Sequence, residues 1–118
     1  MTQTTSGVSV QVQQCIDACN ETHSVCEQTM TYALQKGGDL AQRQVVMALM
    51  DCAESCRLSA DMMMRQSGMA AQMCRMCAQV CMSCAEICSG YDDPMMRACA
   101  EACRLSASQC AQMADARI

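Results

Sequence analysis

The chain has no Trp and no Phe, and Tyr32 and Tyr91 are its only large aromatic residues. A core without aromatic rings must find its volume elsewhere. There is one Lys, Lys36, and the formal net charge is −4. That balance offers no basic patch for nucleic acid or for an anionic membrane surface. With one His, His23, and no inward cluster of carboxylates, the chain has no Ser–His–Asp set and no acid–base pair to carry catalysis. No apolar run reaches the length needed to cross a bilayer. No stretch alternates with period two, so no sheet is expected. The start, Met1-Thr-Gln-Thr-Thr-Ser-Gly, is polar and shows no secretory pattern. The chain as written therefore reads as cytoplasmic, where thiols stay reduced. An exported, periplasmic mature chain with its signal removed would read the same way.

What the chain does have is sulfur: 13 Cys and 14 Met in 118 residues. An odd number of cysteines cannot pair completely. A disulfide-stapled domain would also be loop-rich, whereas this sequence is helical nearly throughout. The densest run is Cys74, Cys77, Cys81, Cys84 and Cys88, in steps of three and four. At about 100° per residue these five fall within roughly an 80° arc of one helix. Leu or Ile ordinarily fills such a stripe.

The same stripe recurs along the chain. Residues 1–7 are expected to be a flexible start, ahead of a single domain over 8–118. Helix 1 is expected over about 8–36, with Cys15, Cys19, Thr22, Cys26 and Met30 inward, ended by Gly37-Gly38. Asp39 and Gln42 form a capping box for helix 2, over about 39–66, with Cys52, Cys56 and Ser59 inward. Ser67-Gly68 makes the next turn. Helix 3 is expected over about 69–89 and is stopped by Gly90. Asp93 and Pro94 open helix 4, over about 94–115, with Met96, Cys99, Cys103, Ser106 and Cys110 inward. The fold class is all-α: an antiparallel up-down-up-down four-helix bundle with a cysteine-lined core. In that order one end gathers Val8, Val12, Met63, Met73 and Met113, and the other Met30, Val45, Leu49, Met95 and Met96. Val46, Met47, Met50 and Leu58 fall off the inner face of helix 2. They form either an oligomer contact or ordinary surface apolar residues.

Packing alone does not explain thirteen inward thiols, because each Leu-to-Cys exchange gives up volume and invites oxidation. Soft thiolates select Cu(I), Zn(II) and iron–sulfur clusters. Zinc knuckles are separated by about 12–20 residues, and iron–sulfur runs fold as loops around their cluster. Four sulfurs in a row on one helix do neither. Cu(I) accepts two or three sulfurs, and Cys15/Cys19, Cys52/Cys56 and Cys99/Cys103 are CxxxC pairs one turn apart. With about one Cu(I) per thiolate the buried array is close to neutral, which is the electrostatically favourable filling. Zinc or general metal sequestration, or a thiol redox reservoir, remains as an alternative on the same bundle.

These motifs resemble the bacterial copper storage proteins over most of the chain: Cys15–Cys19–Cys26, Cys52–Cys56, the five thiols of helix 3, and Cys99–Cys103–Cys110. The resemblance implies multiple Cu(I) ions per chain, bound and stored by all thirteen cysteines. It implies a homotetramer, with a copper chaperone or copper enzyme as donor or acceptor. The family has exported and cytosolic branches. In exported members a His and several Met near the end of helix 1 form a metal entrance. Here Met30, with Met95 and Met96 facing it, takes that place, as ligand or as core filler. His23 departs from the pattern, since it lies between Cys19 and Cys26. A structural hydrogen bond is the favoured role for it and ligation the secondary one.

Overall fold

The structure, a computed structural model, describes residues 9–116. The expected flexible start and Val8 lie outside the described residues. Four helices account for most of the rest: α1 (Val10–Lys36), α2 (Arg43–Met64), α3 (Ala70–Ser89) and α4 (Pro94–Ala116). Ser9, extended and just before the first helical turn, accepts a hydrogen bond from the Val12 N–H at 3.2 Å. This cap sets the start of α1 two residues later than the apolar pattern does. At the other end the Gly37 N–H reaches the Ala33 carbonyl at 3.0 Å. Gly37 and Gly38 both have positive φ, 73° and 60°, a region that costs glycine little.

Asp39 does not cap α2. Gly38–Ala41 closes as a single 3-10 turn, and Gln42 then leaves the helical region with ψ of 150°. The side chains of the expected box do meet, Gln42 Nε2 donating to Asp39 Oδ1 at 3.3 Å, but they do so inside the short turn. α2 starts only at Arg43 and ends at Met64 rather than at residue 66. Gln66 takes φ of 54°, so it, and not Gly68, carries the left-handed step of that turn. Ser67 then accepts from the Met69 N–H at 3.1 Å and turns the chain into α3. Asp93 caps α4 as expected: its Oδ1 accepts from the Met96 N–H at 3.1 Å, with Pro94 as the first helical residue.

Each helix packs on the ones before and after it in the chain, and α1 packs on α4, which closes an antiparallel ring. The bundle measures 46 × 24 × 18 Å. Among the described residues no β-strand forms, and no helix is long and apolar enough to cross a membrane. The large apolar side chains cluster at the two ends. Ile16, Met63 and Met113 are buried at one end, and Val45, Leu49 and Met96 at the other. Alanines, such as Ala53, Ala85 and Ala100, let the helix backbones approach between them. Both tyrosines serve the Met96 end. The Tyr32 hydroxyl donates to Asp93 Oδ2 at 2.6 Å, tying the end of α1 to the start of α4. That bond holds the Asp93 carboxyl below its usual range. Tyr91 donates to the Asp39 carbonyl at 3.3 Å, tying the two loops of that end together.

Because apolar side chains close both ends and alanines are buried between the helices, the bundle is expected to fold without metal. Reduced, metal-free protein should give a strongly helical circular dichroism spectrum and unfold cooperatively. Leu49→Ala, which empties a fully buried site, should lower its stability by about 2–5 kcal/mol in chemical denaturation. A disordered metal-free spectrum would contradict the prefolded bundle.

Candidate metal centre

All thirteen cysteines are buried and all are free thiols. Their positions follow from the helical period: residues three and four apart share one face, and that face of each helix turns to the bundle axis. The sulfurs then meet across the axis and not only along a helix. Cys19 Sγ lies 3.5 Å from Cys110 Sγ, which is itself 3.9 Å from Cys15 Sγ. Cys52 Sγ lies 3.5 Å from Cys81 Sγ and 3.6 Å from Cys103 Sγ, the second contact running diagonally from α2 to α4. Cys26 Sγ is 3.9 Å from the sulfurs of both Cys99 and Cys103.

Four groups result in which the sulfurs lie within 4.8 Å of one another. They are Cys15/Cys19/Cys110, Cys19/Cys56/Cys77, Cys52/Cys56/Cys81 and Cys26/Cys84/Cys99/Cys103. Three CxxxC pairs, one each on α1, α2 and α4, are thus completed by a thiol from a facing helix: Cys15/Cys19 by Cys110, Cys52/Cys56 by Cys81, and Cys99/Cys103 by Cys26 and Cys84. The thiols of α3, though contiguous along one helix, are dealt out to different groups. One group is a foursome, which spacing along the chain does not reveal, because its members come from three helices. Two cysteines outside these groups extend the array. Cys88 Sγ is 4.0 Å from Cys84 Sγ, and Cys74 couples to Cys110 and Cys15.

Charge is unevenly held across the array. Hydrogen bonds from Cys110 and then from Cys15 and Cys56 draw the Cys19 thiol down to about 5. Cys110 and Cys15 likewise draw Cys74 down to about 4. Cys103 and Cys26 do the same for Cys99, to about 4. The donors are pushed the other way. Cys110, hydrogen-bonded with Cys15 and Cys19, is held well above the ordinary thiol range, and burial adds to the effect. Cys52, facing Cys103 and Cys26, is raised in the same manner. Thiols this close and this dry cannot all ionise together, so protons stay on most of them until a cation replaces them.

The weaker candidates are placed as follows. His23 is half-buried and its Nδ1 donates to the Ala53 carbonyl at 2.9 Å. This bond is the structural role favoured from sequence, and the ring joins none of the thiol groups. Met96 is fully buried, while Met30 and Met95 are half-buried at the same end. Met30 packs against the core. Sequence reasoning gave no role to the buried hydroxyls. Ser106 Oγ lies 3.6 Å from Cys19 Sγ and 3.6 Å from Cys56 Sγ. Thr29 on α1 was not placed on the inner face, yet it is completely buried. The signal was present: a polar residue at three- or four-residue spacing from a thiol, on a stripe otherwise apolar.

Residues 8–115 match the family described as copper storage protein, Csp. Comparison with curated proteins gives no match. Among solved structures the chain is similar to a protein of Nitrosospira multiformis, with 32% identity and a TM-score of 0.87 over 91% of this chain and 97% of that one. It is also similar to the Cu(I)-bound copper storage protein BsCsp3, at 29% identity and a TM-score of 0.84, over 88% and 98% of the two chains. The apo form of copper storage protein 3 from Bacillus subtilis gives 30% identity and a TM-score of 0.81, over 86% and 97%. A family match over nearly the whole chain, on a bundle whose axis is lined with free thiols, makes this protein a member of the copper storage protein family.

Proposed function

We propose that this protein binds and stores multiple Cu(I) ions inside the bundle, for supply to copper enzymes or for copper detoxification, in a storage rather than a catalytic role. The observation that carries the reading is the completion of three CxxxC pairs, on α1, α2 and α4, by a third or fourth sulfur from a facing helix. Groups of two or three soft sulfurs suit Cu(I). Structural zinc asks for four ligands, a condition that only the Cys26/Cys84/Cys99/Cys103 group meets. Each ion that enters takes the place of thiol protons, which leave to solvent. A filled array of thiolates and monovalent ions approaches neutrality, so burial does not oppose it. We assign the thirteen cysteines as the storage ligands and leave His23 in its structural bond. A copper chaperone or copper enzyme would act as donor or acceptor.

Titration of the reduced protein with Cu(I) against a competing chelator tests this. Uptake should approach one ion per thiol. Because the thiols of Cys52 and Cys110 are held protonated well above the ordinary range, copper must compete with their protons. Retention should therefore weaken as pH falls, from about pH 7.5 to about pH 5.5 for example. Saturation after one or two ions, zinc bound at one group with Cu(I) refused, or reversible disulfide exchange without metal would each overturn storage.

The Met96 end is proposed as the entrance. A thioether is neutral and holds Cu(I) less firmly than a thiolate does, which suits a site that ions pass through. Met30→Ala combined with Met96→Ala should slow loading in stopped-flow mixing while leaving the final capacity nearly unchanged. Equal loading rates would remove this assignment.

Self-association, as a tetramer by family resemblance, is proposed through the outer face of α2. Met47, Met50 and Leu58 are 40%, 38% and 42% exposed there, on one side of the helix. Met47→Glu with Leu58→Glu should reduce the mass measured by light scattering to that of a monomer. An unchanged mass would place the contact elsewhere.

A further inference from the structure

Among the described residues, the buried polar side chains are Thr22, Thr29, Ser59 and Ser106. Their positions follow one pattern. Thr22 and Thr29 flank Cys26 on α1, at four residues before and three after. Ser59 lies three residues after Cys56 on α2, and Ser106 lies between Cys103 and Cys110 on α4, at spacings of three and four. Each therefore sits on an inward stripe, at a place where the uninterrupted run of α3 would put another thiol.

Thr22 is accounted for, since its hydroxyl donates to the Ala102 carbonyl at 3.0 Å and ties α1 to α4. Thr29 and Ser59 have no such tie, and Ser106 meets only thiols. Thr29 Oγ1 and Ser59 Oγ are fully buried and have no hydrogen-bond partner. Such orphans are rare because burying an unpaired hydroxyl costs free energy. An Ala at either position would pack without that cost. Ser106 Oγ touches two sulfurs at once, those of Cys19 and Cys56. These are the two thiols that belong to more than one of the close sulfur groups.

We infer that Thr29, Ser59 and Ser106 are hydrogen-bond donors to the sulfurs of the copper-loaded core. The inference rests on the storage reading and names residues that act through the ligands. A neutral thiol accepts hydrogen bonds weakly, whereas a metal-bound thiolate carries charge and accepts well. A hydroxyl on the thiol stripe that lacks a partner in the protonated array therefore gains one when the array is loaded. Ser106 serves the seam: its one proton can point to Cys19 or to Cys56, whichever sulfur is more negative as ions are shared between adjoining groups. Hydroxyls suit this task better than further thiols. They donate more strongly, and as hard ligands they do not compete for Cu(I).

Removal of the hydroxyls without change of shape tests the inference. Ser59→Ala, Ser106→Ala and Thr29→Val are made singly and together, and Thr22→Val serves as the structural control. Metal-free melting temperature and Cu(I) retention against bathocuproine disulfonate are measured on the same preparations. Capacity should stay at the wild-type value. In the triple variant the copper bound beside these positions should leave at a chelator concentration lower by about tenfold or more, the scale of a lost hydrogen bond to a charged group. The metal-free melting temperature of Ser59→Ala and Thr29→Val should hold or rise, while that of Thr22→Val falls. Ser106→Thr, which restores a hydroxyl, should recover retention relative to Ser106→Ala. Unchanged retention in the triple variant, or a loss that only tracks a drop in metal-free melting temperature, overturns the inference. Low copper capacity in the wild-type protein itself would instead bring down storage, so the two failures are separable.

Discussion

A sulfur inside this bundle has to be neutralised, by a proton or by a cation. The thirteen thiols lie out of water, and an uncompensated thiolate there would pay the full cost of a buried charge. The close sulfur contacts relieve this only in part. A thiolate at Cys19 can be steadied by hydrogen bonds from Cys110 and Cys15, but those donors then hold their own protons more firmly. Hydrogen bonding redistributes the charge within the array and does not create room for more of it. A monovalent soft cation does, because it replaces the proton at the same sulfur and leaves the charge sum unchanged. A divalent ion on three thiolates would leave a net negative charge in the core, as Cu(I) on the same three would unless several ions share the sulfurs. The array is therefore best matched by many small charges spread along its length.

The same constraint explains how the rest of the molecule is built. A thiol fills less space than Leu, so the middle of the bundle gives up apolar burial that an ordinary core would have. The loss is offset at the ends, where Ile16, Met63 and Met113 close one side and Val45, Leu49 and Met96 the other. Each such side chain contributes about 1.5–3 kcal/mol on burial. Methionine suits these positions because its flexible thioether fills irregular gaps. The two ends are not equivalent. The tyrosine bonds to Asp93 and to the Asp39 carbonyl both fall at the Met96 end. Copper passing there would meet half-buried Met30 and Met95 beneath loops held by a few directional bonds.

Much of this was readable from residue spacing. Steps of three and four among the cysteines mark the helix faces, and the Gly37-Gly38, Ser67-Gly68 and Asp93-Pro94 pairs mark the three turns. The second helix was misplaced at its start because Asp39 and Gln42 have the right spacing for a capping box in either of two settings. Spacing does not say whether the turn between them is α-helical or 3-10. Gln66 could not be read as left-handed, since a glycine two residues later is the commoner carrier. What spacing could least supply was which thiols meet. The diagonal contact of Cys52 with Cys103 and the foursome around Cys26 depend on the relative height of helices that are far apart in the chain. The partner of His23, a carbonyl on another helix, was hidden for the same reason.

The groups overlap, and this overlap bears on how a store can also release. Cys19 belongs to two groups and Cys56 to two, so the three groups on that side of the bundle share corners. With the proposed ligands, an ion held by Cys15, Cys19 and Cys110 would move toward Cys56 and Cys77 by exchanging one sulfur at a time while keeping Cys19. Each step breaks one bond while another is being made, and a soft ion content with two or three sulfurs permits such a step. Closely spaced, incomplete and shared groups thus favour retention against the outside and mobility within. On this argument the equilibrium hold on copper is set by the number of sulfurs in reach, and the rate of delivery by the shared corners between them.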